Sequence, residues 1–590
     1  MKKRAIWLIL SCLMVLSLVL ASCARTGVEE KEVAVKKEMV RDPANGEMVE
    51  KPRYGGMLNV SEPLFEYFDQ YRWEQGSFRI LSNSSERLLM GDWAAPRKEC
   101  TLTQASGWTP PEYMKGQLLE SWEFPDAQTV IMHLRKGVYW QNKPPVNGRE
   151  FVADDLVWNY QRYMGSSFID QSNLKLIESV EALDKYTVKL KLTTPQFFLN
   201  FMIMDNSMGS YQVAPESVGP SGEVEDWRKV IGTGPFMIKD YIAGSVVTFE
   251  KNPNYWDYDE KYPENRLPYV DGVRAFIIKD SATMLAALRS GKLDKVLEIE
   301  GPDAIHLQET NPELKSRGEQ ASSGFVLSYR NDVKPFTDVR VRQALSMSID
   351  RMEIVDTFYG GWAYPYTGIG RPMHGPDIWV EYEDLPDTPM WTTLSCKEVL
   401  SYNPEKAKQL LAEAGYPNGF KTSIDFSPGK FPGVPEILQS YLADIGVDAK
   451  LIPHEMGVFN PWRKQKPSPV EQTSMHWISA RTNPTDWLER TVDPTIGHDV
   501  GMVDDPVFRE MIERMRPLSV QPERNKAIGE LNLYVIENAF WLSTPISTEG
   551  TFWWPWLKGY LGESHLGAHN TGAANARVWI DQELKKEMGY

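Results

Sequence analysis

Residues 335–345, with the sequence PFTDVRVRQAL, contain the pattern that decides the fold class. Asp338 belongs to the residue types that cap helix N-termini, so we expect a helix that starts there and runs through Leu345. In the first half of the chain, residues 129–135 and 186–192 alternate apolar and polar side chains, as half-buried strands do. The sequence therefore predicts helices and strands within one chain.

The same alternation continues after residue 400. Asn403-Pro404-Glu405 combines a capping residue, a proline suited to the first turn and an early acid, which predicts a helix over 405–414 that Gly415 ends. Residues 435–444 are predicted to be helical, and 447–452 are predicted to form a strand. This order is typical of α/β domains, and we expect their sheets to be largely parallel.

The composition is that of an acidic globular protein. The chain has 590 residues, which is too many for one core and favours several domains. Its formal net charge is −16, and it becomes −19 when Lys2, Lys3 and Arg4 are removed with the first 22 residues. Such a chain is repelled by nucleic acid, and the sequence has no basic patch with interleaved aromatic residues, so we expect no nucleic-acid binding.

The N-terminus predicts the compartment. Lys2-Lys3-Arg4 precedes a mostly apolar run over 6–20, which is short for a membrane span and right for a secretion signal. The run ends in Leu20-Ala21-Ser22-Cys23, which resembles the bacterial lipobox, so we expect residues 1–22 to be a signal peptide and Cys23 to carry the lipid anchor. The alternative is an ordinary secretory signal followed by an unrelated cysteine.

The segment that follows is polar and densely charged. Residues 23–53 contain few apolar side chains, so we expect them to form a disordered tether between the anchor and the folded part. Two further cysteines remain, Cys100 and Cys396. They are interpreted either as two buried thiols or as one disulfide, because sequence alone cannot place them within bonding distance.

Sequence motifs of catalysis are missing. The stretch 562–567, GESHLG, has one residue too many for a nucleophile elbow, and Gly291-Lys292 lacks the rest of a phosphate-binding loop. His565 and His569 have helical ligand spacing but lie in a glycine-rich stretch, which favours solvated loop histidines over a metal site. We therefore expect no catalytic residue, no metal and no cofactor, and the chain is not expected to be an enzyme.

Eight short segments, in order along the chain, are similar to one family. The chain resembles the large dipeptide/oligopeptide-binding class of ABC-importer solute-binding proteins, the family 5 extracellular solute-binding lipoproteins, with Lys251 where that family has arginine. The segments are 119–123 (LESWE), 133–138 (HLRKGV), 151–157 (FVADDLV), 232–236 (GTGPF), 251–256 (KNPNYW), 287–294 (ALRSGKLD), 335–345 with 349–351 (PFTDVRVRQAL and IDR), and 402–407 with 411–416 (YNPEKA and LAEAGY).

The resemblance implies an α/β, two-lobed fold of the type II periplasmic-binding-protein class, with an extra subdomain inserted in lobe one. On this basis we place lobe one at about 54–322 plus 547–590, with the inserted subdomain at about 76–215. Lobe two covers about 323–546. A ligand is expected in the cleft between the lobes, and its contacts with both lobes would stabilise a closed arrangement.

The resemblance also points to a candidate binding segment in lobe two. In peptide-binding members an aspartate of this segment grips the ammonium group of the peptide, and here Ala480 stands at that position, followed by Arg481. The alternatives are a match displaced by a few residues, or Asp486 in that role. The candidate ligand-binding residues are Trp477, Ile478, Ser479, Ala480, Arg481, Thr482 and Asn483, with Phe68 and Asp69 from lobe one.

The predicted function is that of an extracytoplasmic, membrane-anchored lipoprotein, in the periplasm or on the outer face of the cell membrane. It would act as a monomer that captures a small-molecule or peptide ligand and passes it to transmembrane ABC permease subunits, which work with separate ATPase subunits. The alternatives are an oligosaccharide-binding member of the same fold, or a non-transport receptor or enzyme on this fold.

The lipid anchor can be tested directly. Cys23→Ala is expected to release the protein from membranes, because the acyl chains that hold it there need the cysteine thiol. Fractionation of cells with and without detergent measures the effect. Identical fractionation of the variant and the parent would show that Cys23 is not an anchor.

Overall fold

The structure is a computed structural model of the chain. It describes residues 38–41, 48–62, 64–70, 75–95, 113–165, 177–195, 211–320, 323–366, 368, 377–428, 433–455, 458–459, 462, 465, 469–479, 501–518, 521–563 and 570–590. The chain divides into a small N-terminal unit, 1–51, and a main body, 52–590.

The N-terminal unit contains one pair of short strands. Strand β1 (Met39–Arg41) pairs antiparallel with β2 (Met48–Glu50), and Val40 lies opposite Val49. This pair lies within 23–53, where the predicted disordered tether stays a prediction. Backbone pairing and an ion pair between Lys51 Nζ and Glu38 Oε1 at 3.0 Å hold the two ends together.

The main body contains two groups of sheets. The first group has three larger sheets and two small strand pairs. The larger sheets have the orders β10-β11-β12-β3, β6-β7-β9-β8 and β13-β21-β14, and the pairs are β4 with β5 and β22 with β23. Its strands are β3 (Met57–Glu62), β4 (Leu89–Gly91), β5 (Met114–Gly116), β6 (Leu119–Asp126), β7 (Thr129–Leu134), β8 (Ile177–Asp184), β9 (Thr187–Leu192), β10 (Phe236–Ile242), β11 (Val246–Lys251), β12 (Gly272–Ile277), β13 (Lys295–Glu300), β14 (Lys315–Gln320), β21 (Ile546–Trp553), β22 (Leu557–Lys558) and β23 (Trp579–Ile580).

The second group is a single five-stranded sheet in the order β18-β17-β19-β15-β20. Its strands are β15 (Ser323–Tyr329), β17 (Phe420–Phe426), β18 (Val447–Pro453), β19 (Thr473–Ser479) and β20 (Trp541–Ser543). The two-residue strand β16 (Ala363–Tyr364) lies between β15 and β17 in the chain but pairs with β21 of the first group.

Helices cover these sheets. They are α1 (Gln75–Leu81), α2 (Ala153–Met164), α3 (Ser281–Arg289), α4 (Gly301–Thr310), α5 (Val339–Met347), α6 (Arg351–Thr357), α7 (Cys396–Leu400), α8 (Pro404–Glu413), α9 (Val434–Asp444), α10 (Pro506–Met515), α11 (Gln521–Asn538), α12 (Thr571–Arg577) and α13 (Gln582–Glu587).

Side-chain caps fix the predicted helix starts. Asp338 Oδ1 accepts the backbone N–H of Arg340 at 2.9 Å and so caps α5. Asn403 Oδ1 accepts the N–H of Lys406 at 3.0 Å and caps α8, with Pro404 as the first helical residue. Both predicted starts are confirmed, because a cap depends on only a few neighbouring residues.

The prediction of largely parallel sheets is wrong. Among the described strands, parallel pairing is limited to β3 with β12 and to β17 with β18 and β19. The β17–α9–β18 unit is a true crossover, whereas short turns join β6 to β7 and β10 to β11 and force antiparallel pairing. Other described helices, such as α1 between β3 and β4 and α3 between β12 and β13, connect strands of different sheets.

The apolar cores follow the two groups of sheets. One core joins β3, β12 and β13 to the C-terminal segment through Trp554, Trp556 and Trp579, and a second fills the space between the β6–β9 sheet and α2. A third lies under α5, α8 and α9 in the second group. The chain leaves the first group between β14 and β15, contributes β16 to its edge, and returns to it between β20 and β21. The lobe boundaries at 322 and 546 remain predictions.

Two further findings bear on the sequence analysis. Cys396 is a free, buried thiol whose Sγ lies 3.3 Å from the carbonyl oxygen of Leu533, and burial raises its pKa to about 12. Cys100 lies outside the described residues. Within the part of the chain that the structure describes, no helix combines the length and apolar character that crossing a membrane requires.

A buried arginine attaches α12 to the first group. The Arg577 guanidinium is fully buried and donates to Glu260 Oε2 at 2.8 Å and to Asp257 Oδ2 at 2.7 Å. Burial by itself would raise the pKa of Glu260, but Arg577 and Lys115 lower it to about 2. Arg577 thus bridges the two carboxylates, and Lys115 forms a second ion pair with Glu260.

We expect Arg577→Met to lower the free energy of unfolding by about 3–5 kcal/mol, because the variant removes the cation that pairs with Asp257 and leaves Glu260 with Lys115 alone. Guanidinium unfolding followed by tryptophan fluorescence measures the loss. Arg228→Met is the control, since Arg228 is exposed and its contacts with Asp226 and the Trp227 ring are local, and it should change stability by less than about 0.5 kcal/mol. Equal effects of the two substitutions would contradict the assignment.

Candidate ligand-binding site

A pocket with both apolar and charged lining residues opens in the first group of sheets, and we call it the Lys295 pocket. Its open space, including the solvent at its mouth, is about 350 Å³. It lies where the ends of β3 and β12 and the start of β13 meet α1 and α12. Its lining residues are Val60, Ser61, Glu62, Arg79, Ile80, Asn83, Ala275, Lys295, Leu297, Thr571 and Asn575.

Polar contacts between α1 and α12 form one wall of the pocket. Thr571 Oγ1 donates to the carbonyl oxygen of Arg79 at 2.7 Å, and Asn575 Nδ2 donates to Asn83 Oδ1 at 3.0 Å. Gly572 makes this approach possible, since a Cβ there would come within 2.0 Å of the carbonyl oxygen of Ser82. The wall therefore joins residues from opposite ends of the sequence.

An ion network centred on Arg79 occupies the pocket. The guanidinium is 5% exposed, pairs with Glu298 and lies 3.6 Å from Glu62 Oε2. Burial acts to lower the pKa of Arg79, but Glu298 and Glu62 together raise it, so the guanidinium stays charged. Glu298 takes part because an irregularity in the pairing of β13 with β21 gives it a left-handed backbone, with φ of 56°.

Lys295 is the second buried cation of the pocket. It is 2% exposed, and its Nζ has no hydrogen-bond partner among the described residues. The ammonium lies over the ring of Tyr560, 4.5 Å from its centroid. Burial lowers the pKa of Lys295 to about 8, although Glu563 and Glu62 favour the charged form. Among the described residues, a protonated Lys295 is thus stabilised by the charges of Glu563 and Glu62, without a hydrogen bond, and by the face of the Tyr560 ring.

A further carboxyl group, that of Glu549, lies near the pocket on β21, the strand that follows the second group of sheets in the chain. Glu549 of β21 is half-buried and stands opposite Glu300 of β13. Burial and the neighbouring Glu298 raise its pKa, Arg79 opposes the shift and Glu300 adds to it. Proton uptake by Glu549 would relieve the crowding of negative charge at this edge.

The second group of sheets carries its own polar cluster. Asp425, near the end of β17, lies 2.6 Å from His454 Nε2, just after β18. The imidazole also stacks on Trp462, with ring centroids 4.4 Å apart. Carboxyl ends of parallel strands are frequent ligand sites, so this cluster is a further candidate contact. Among the described residues, no group of three or more His, Cys, Asp or Glu is arranged to hold a metal ion.

The residues predicted from sequence have different outcomes. Asp69 is 1% exposed, pairs with Arg162 and accepts the backbone N–H of Val224 at 2.7 Å. Phe68 packs edge-on against Phe65, with centroids 5.3 Å apart. Both therefore contribute to the interior of the first group, and their roles as ligand contacts stay predictions.

The predicted segment in lobe two is only partly described. Trp477, Ile478 and Ser479 form the end of β19, where their backbones pair with β15. Ala480, Arg481, Thr482 and Asn483 lie outside the described residues, so their binding roles stay predictions.

The Lys295 pocket was missed by the sequence analysis. Lys295 and Glu298 in the short strand-like run KVLEI at 295–299 are a signal that could have marked it, since charged residues are rarely fully buried. Arg79 and Glu62 lie more than 200 residues away in sequence and gave no such signal.

Comparison with known proteins now identifies the class. Residues 114–496 match the family described as bacterial extracellular solute-binding proteins, family 5. The chain belongs to this family. The fold expectation is confirmed with it: the protein is an α/β, two-lobed member of the type II periplasmic-binding-protein class.

Two curated relatives illustrate the range of the family. The heme-binding protein A of Haemophilus influenzae is 27% identical over 482 residues, which is 76% of this chain and 83% of the relative. The dipeptide-binding protein of Pseudomonas aeruginosa is 27% identical over 69% of this chain and 76% of its own length.

Solved structures share the fold. An ABC transporter-associated periplasmic binding protein of Helicobacter pylori, in complex with the peptide STSA, matches with a TM-score of 0.69 and 21% identity, covering 90% of this chain and 99% of that one. A dipeptide-binding protein of a Pseudoalteromonas species, in complex with Met-Leu, matches with a TM-score of 0.67 and 17% identity over 89% of this chain and 100% of its own.

The unpaired ammonium of Lys295 should cost stability. Its pKa of about 8 lies below the ordinary value of 10.5, so the unfolded chain binds this proton more tightly than the folded chain. The parent therefore gains stability as the pH rises from about 8 to about 10.5, and it lacks that contribution at lower pH.

We expect Lys295→Met to raise the free energy of unfolding at pH 7 by up to about 3 kcal/mol, and the gain to shrink as the pH approaches 10.5. Denaturant unfolding at pH 7 and pH 10 measures both values. The exposed neighbour Lys292, changed to Met, is the control and should have little effect at either pH. A Lys295→Met protein less stable than the parent at pH 7 would refute the prediction.

Proposed function

We propose that this chain is the extracytoplasmic, lipid-anchored solute-binding subunit of an ABC importer. It captures a peptide-like or other small organic ligand between its two lobes and delivers it to transmembrane permease subunits, while separate ATPase subunits supply the energy. The family match over 114–496 carries the proposal. The lipobox-like sequence that ends in Cys23 supports the lipid anchor. The similar Helicobacter pylori protein is described as associated with an ABC transporter, which supports a permease as the partner.

A hinge between the lobes follows from how the chain connects its sheets. β14 ends at Gln320 and β15 begins at Ser323, and on the return β20 ends at Ser543 and β21 begins at Ile546. Hinge motions are absorbed by a few residues at the ends of elements. Two short connections therefore suit a closing motion that buries a ligand and presents a closed surface to the permease.

The ligand class follows from the substituted segment. A free peptide ammonium buried beside Ala480 and Arg481 would have no counter-charge there, which is costly. The ligand is accordingly neutral or anionic: a capped or acidic peptide-like compound, or an oligosaccharide. A sugar would stack on Trp477 and exchange hydrogen bonds with Ser479, Thr482 and Asn483, while an anion would pair with Arg481.

A calorimetric screen tests this ligand class. It compares di- to pentapeptides in free and N-acetylated form with cello- and xylo-oligosaccharides. We expect acetylated or acidic peptides, or the sugars, to bind at least about tenfold more tightly than free peptides, since an unpaired buried ammonium opposes binding.

Arg481→Ala separates the two ligand chemistries in the same screen. It should weaken an anionic ligand and make its affinity less dependent on salt, but leave a stacked sugar nearly unchanged. Arg228→Ala is the exposed control. Tight binding of unmodified peptides, unaffected by Arg481→Ala, would overturn the proposed ligand class and return the protein to ordinary peptide binding.

A further inference from the structure

The Lys295 pocket contains buried donors that lack acceptors. Among the described residues, Lys295 Nζ and Arg79 Nε have no hydrogen-bond partner, and neither does Ser61 Oγ. Both cations are at least nine-tenths buried, and all three residues line the same pocket. An unsatisfied buried donor is uncommon in folded proteins, and an unsatisfied cation is more costly than a neutral group.

The carboxylates of the pocket do not satisfy these donors. Glu62 and Glu563 affect the charge state of Lys295, but the ammonium has no hydrogen bond or ion pair with either. Glu298 and Glu62 approach Arg79 through its terminal nitrogens and not through Nε. None of the described residues supplies the acceptor that these donors require, so the pocket offers them to a group that enters it.

We propose that the Lys295 pocket binds a carboxylate group of the ligand, with the Lys295 ammonium as its principal contact and Arg79 Nε and Ser61 Oγ as further donors. This inference rests on the proposed function as a solute-binding protein. A carboxylate offers about four lone-pair sites, enough for three donors at once. A phosphate dianion fits less well, because Glu62 and Glu298 place negative charge beside the same pocket.

The proposal adds a ligand contact in lobe one to the predicted contacts in lobe two. Because the pocket belongs to the first group of sheets, a carboxylate there would fix one end of an acidic ligand before the second lobe closes. Acidic compounds are thereby favoured among the candidates of the proposed function.

Acetate and acetamide form a minimal test pair, since they have the same shape and differ in charge. Each is added to the full-length protein at up to about 100 mM, at constant ionic strength with chloride. For acetate binding at the ten-millimolar level, the midpoint of thermal unfolding should rise by about 1–2 °C, whereas acetamide should cause no rise. Ligand-observed NMR of the acetate methyl group gives a second, direct measure of binding.

Two variants of Lys295 and one control variant test whether Lys295 binds the carboxylate. Lys295→Met and Lys295→Gln should each abolish the acetate shift and the NMR signal of binding, and circular dichroism shows that they fold. The exposed Lys292→Met should keep both. An acetate effect that persists in both Lys295 variants, an equal effect of acetamide, or no acetate effect in the parent would overturn the proposal, and the last result would assign the donors to a bridging water.

The same measurements separate this inference from the function on which it rests. Capture of peptides or oligosaccharides without an acetate effect would leave the proposed function standing and remove the carboxylate site. An acetate effect that depends on Lys295, in a protein that captures no solute of the screen, would support the site and count against the function.

Discussion

Backbone pairing along β21 is the constraint on which the two lobes depend. This strand has β13 along one edge and β14 along the other, and its first residues also pair with β16, which lies between β15 and β17 in the chain. A strand held on both sides cannot change its dihedral angles without breaking the ladder. The proposed closing motion would therefore fall at the strand ends, where Thr544 Oγ1 donates to the carbonyl oxygen of Phe325 at 2.6 Å. The same strand carries Glu549 to the edge of the ion network around Arg79.

The molecule buries its cations in three different ways. Carboxylates surround Arg577, and backbone carbonyls of Ser346, Leu400 and Ser543 surround Arg351. Burial lowers the pKa of Arg351 to about 10, because those carbonyls compensate only part of the lost hydration. Lys295 has neither kind of partner and rests on an aromatic ring. Paired cations stabilise contacts between segments, whereas Lys295 keeps unused hydrogen-bonding capacity, and the proposed carboxylate site depends on that capacity.

Local features of the fold could be predicted, and distant ones could not. Asp338 and Asn403 revealed helix starts because capping depends on four consecutive residues. The prediction of strand direction was wrong because direction depends on which strands pair. For example, β12 pairs with β3, which is about 200 residues away in sequence. For the site, the resemblance pointed to Trp477 and Arg481 by their place in a segment. Arg79 and Lys295 form one pocket only after folding, so no window of sequence contains both.

The docking of α12 on α1 also determines when the first lobe can be completed. Thr571 Oγ1 and Ser82 Oγ, which lie 2.9 Å apart, are separated by 489 residues, and the tryptophans at 554 and 556 belong to the same core as Leu58. A chain that is synthesised from its N-terminus cannot form the contact between α1 and α12 until almost all of its residues are present. Contacts between such distant segments form late and slowly. The early lobe thus stays incomplete during export, and its assembly waits for the last residues of the chain.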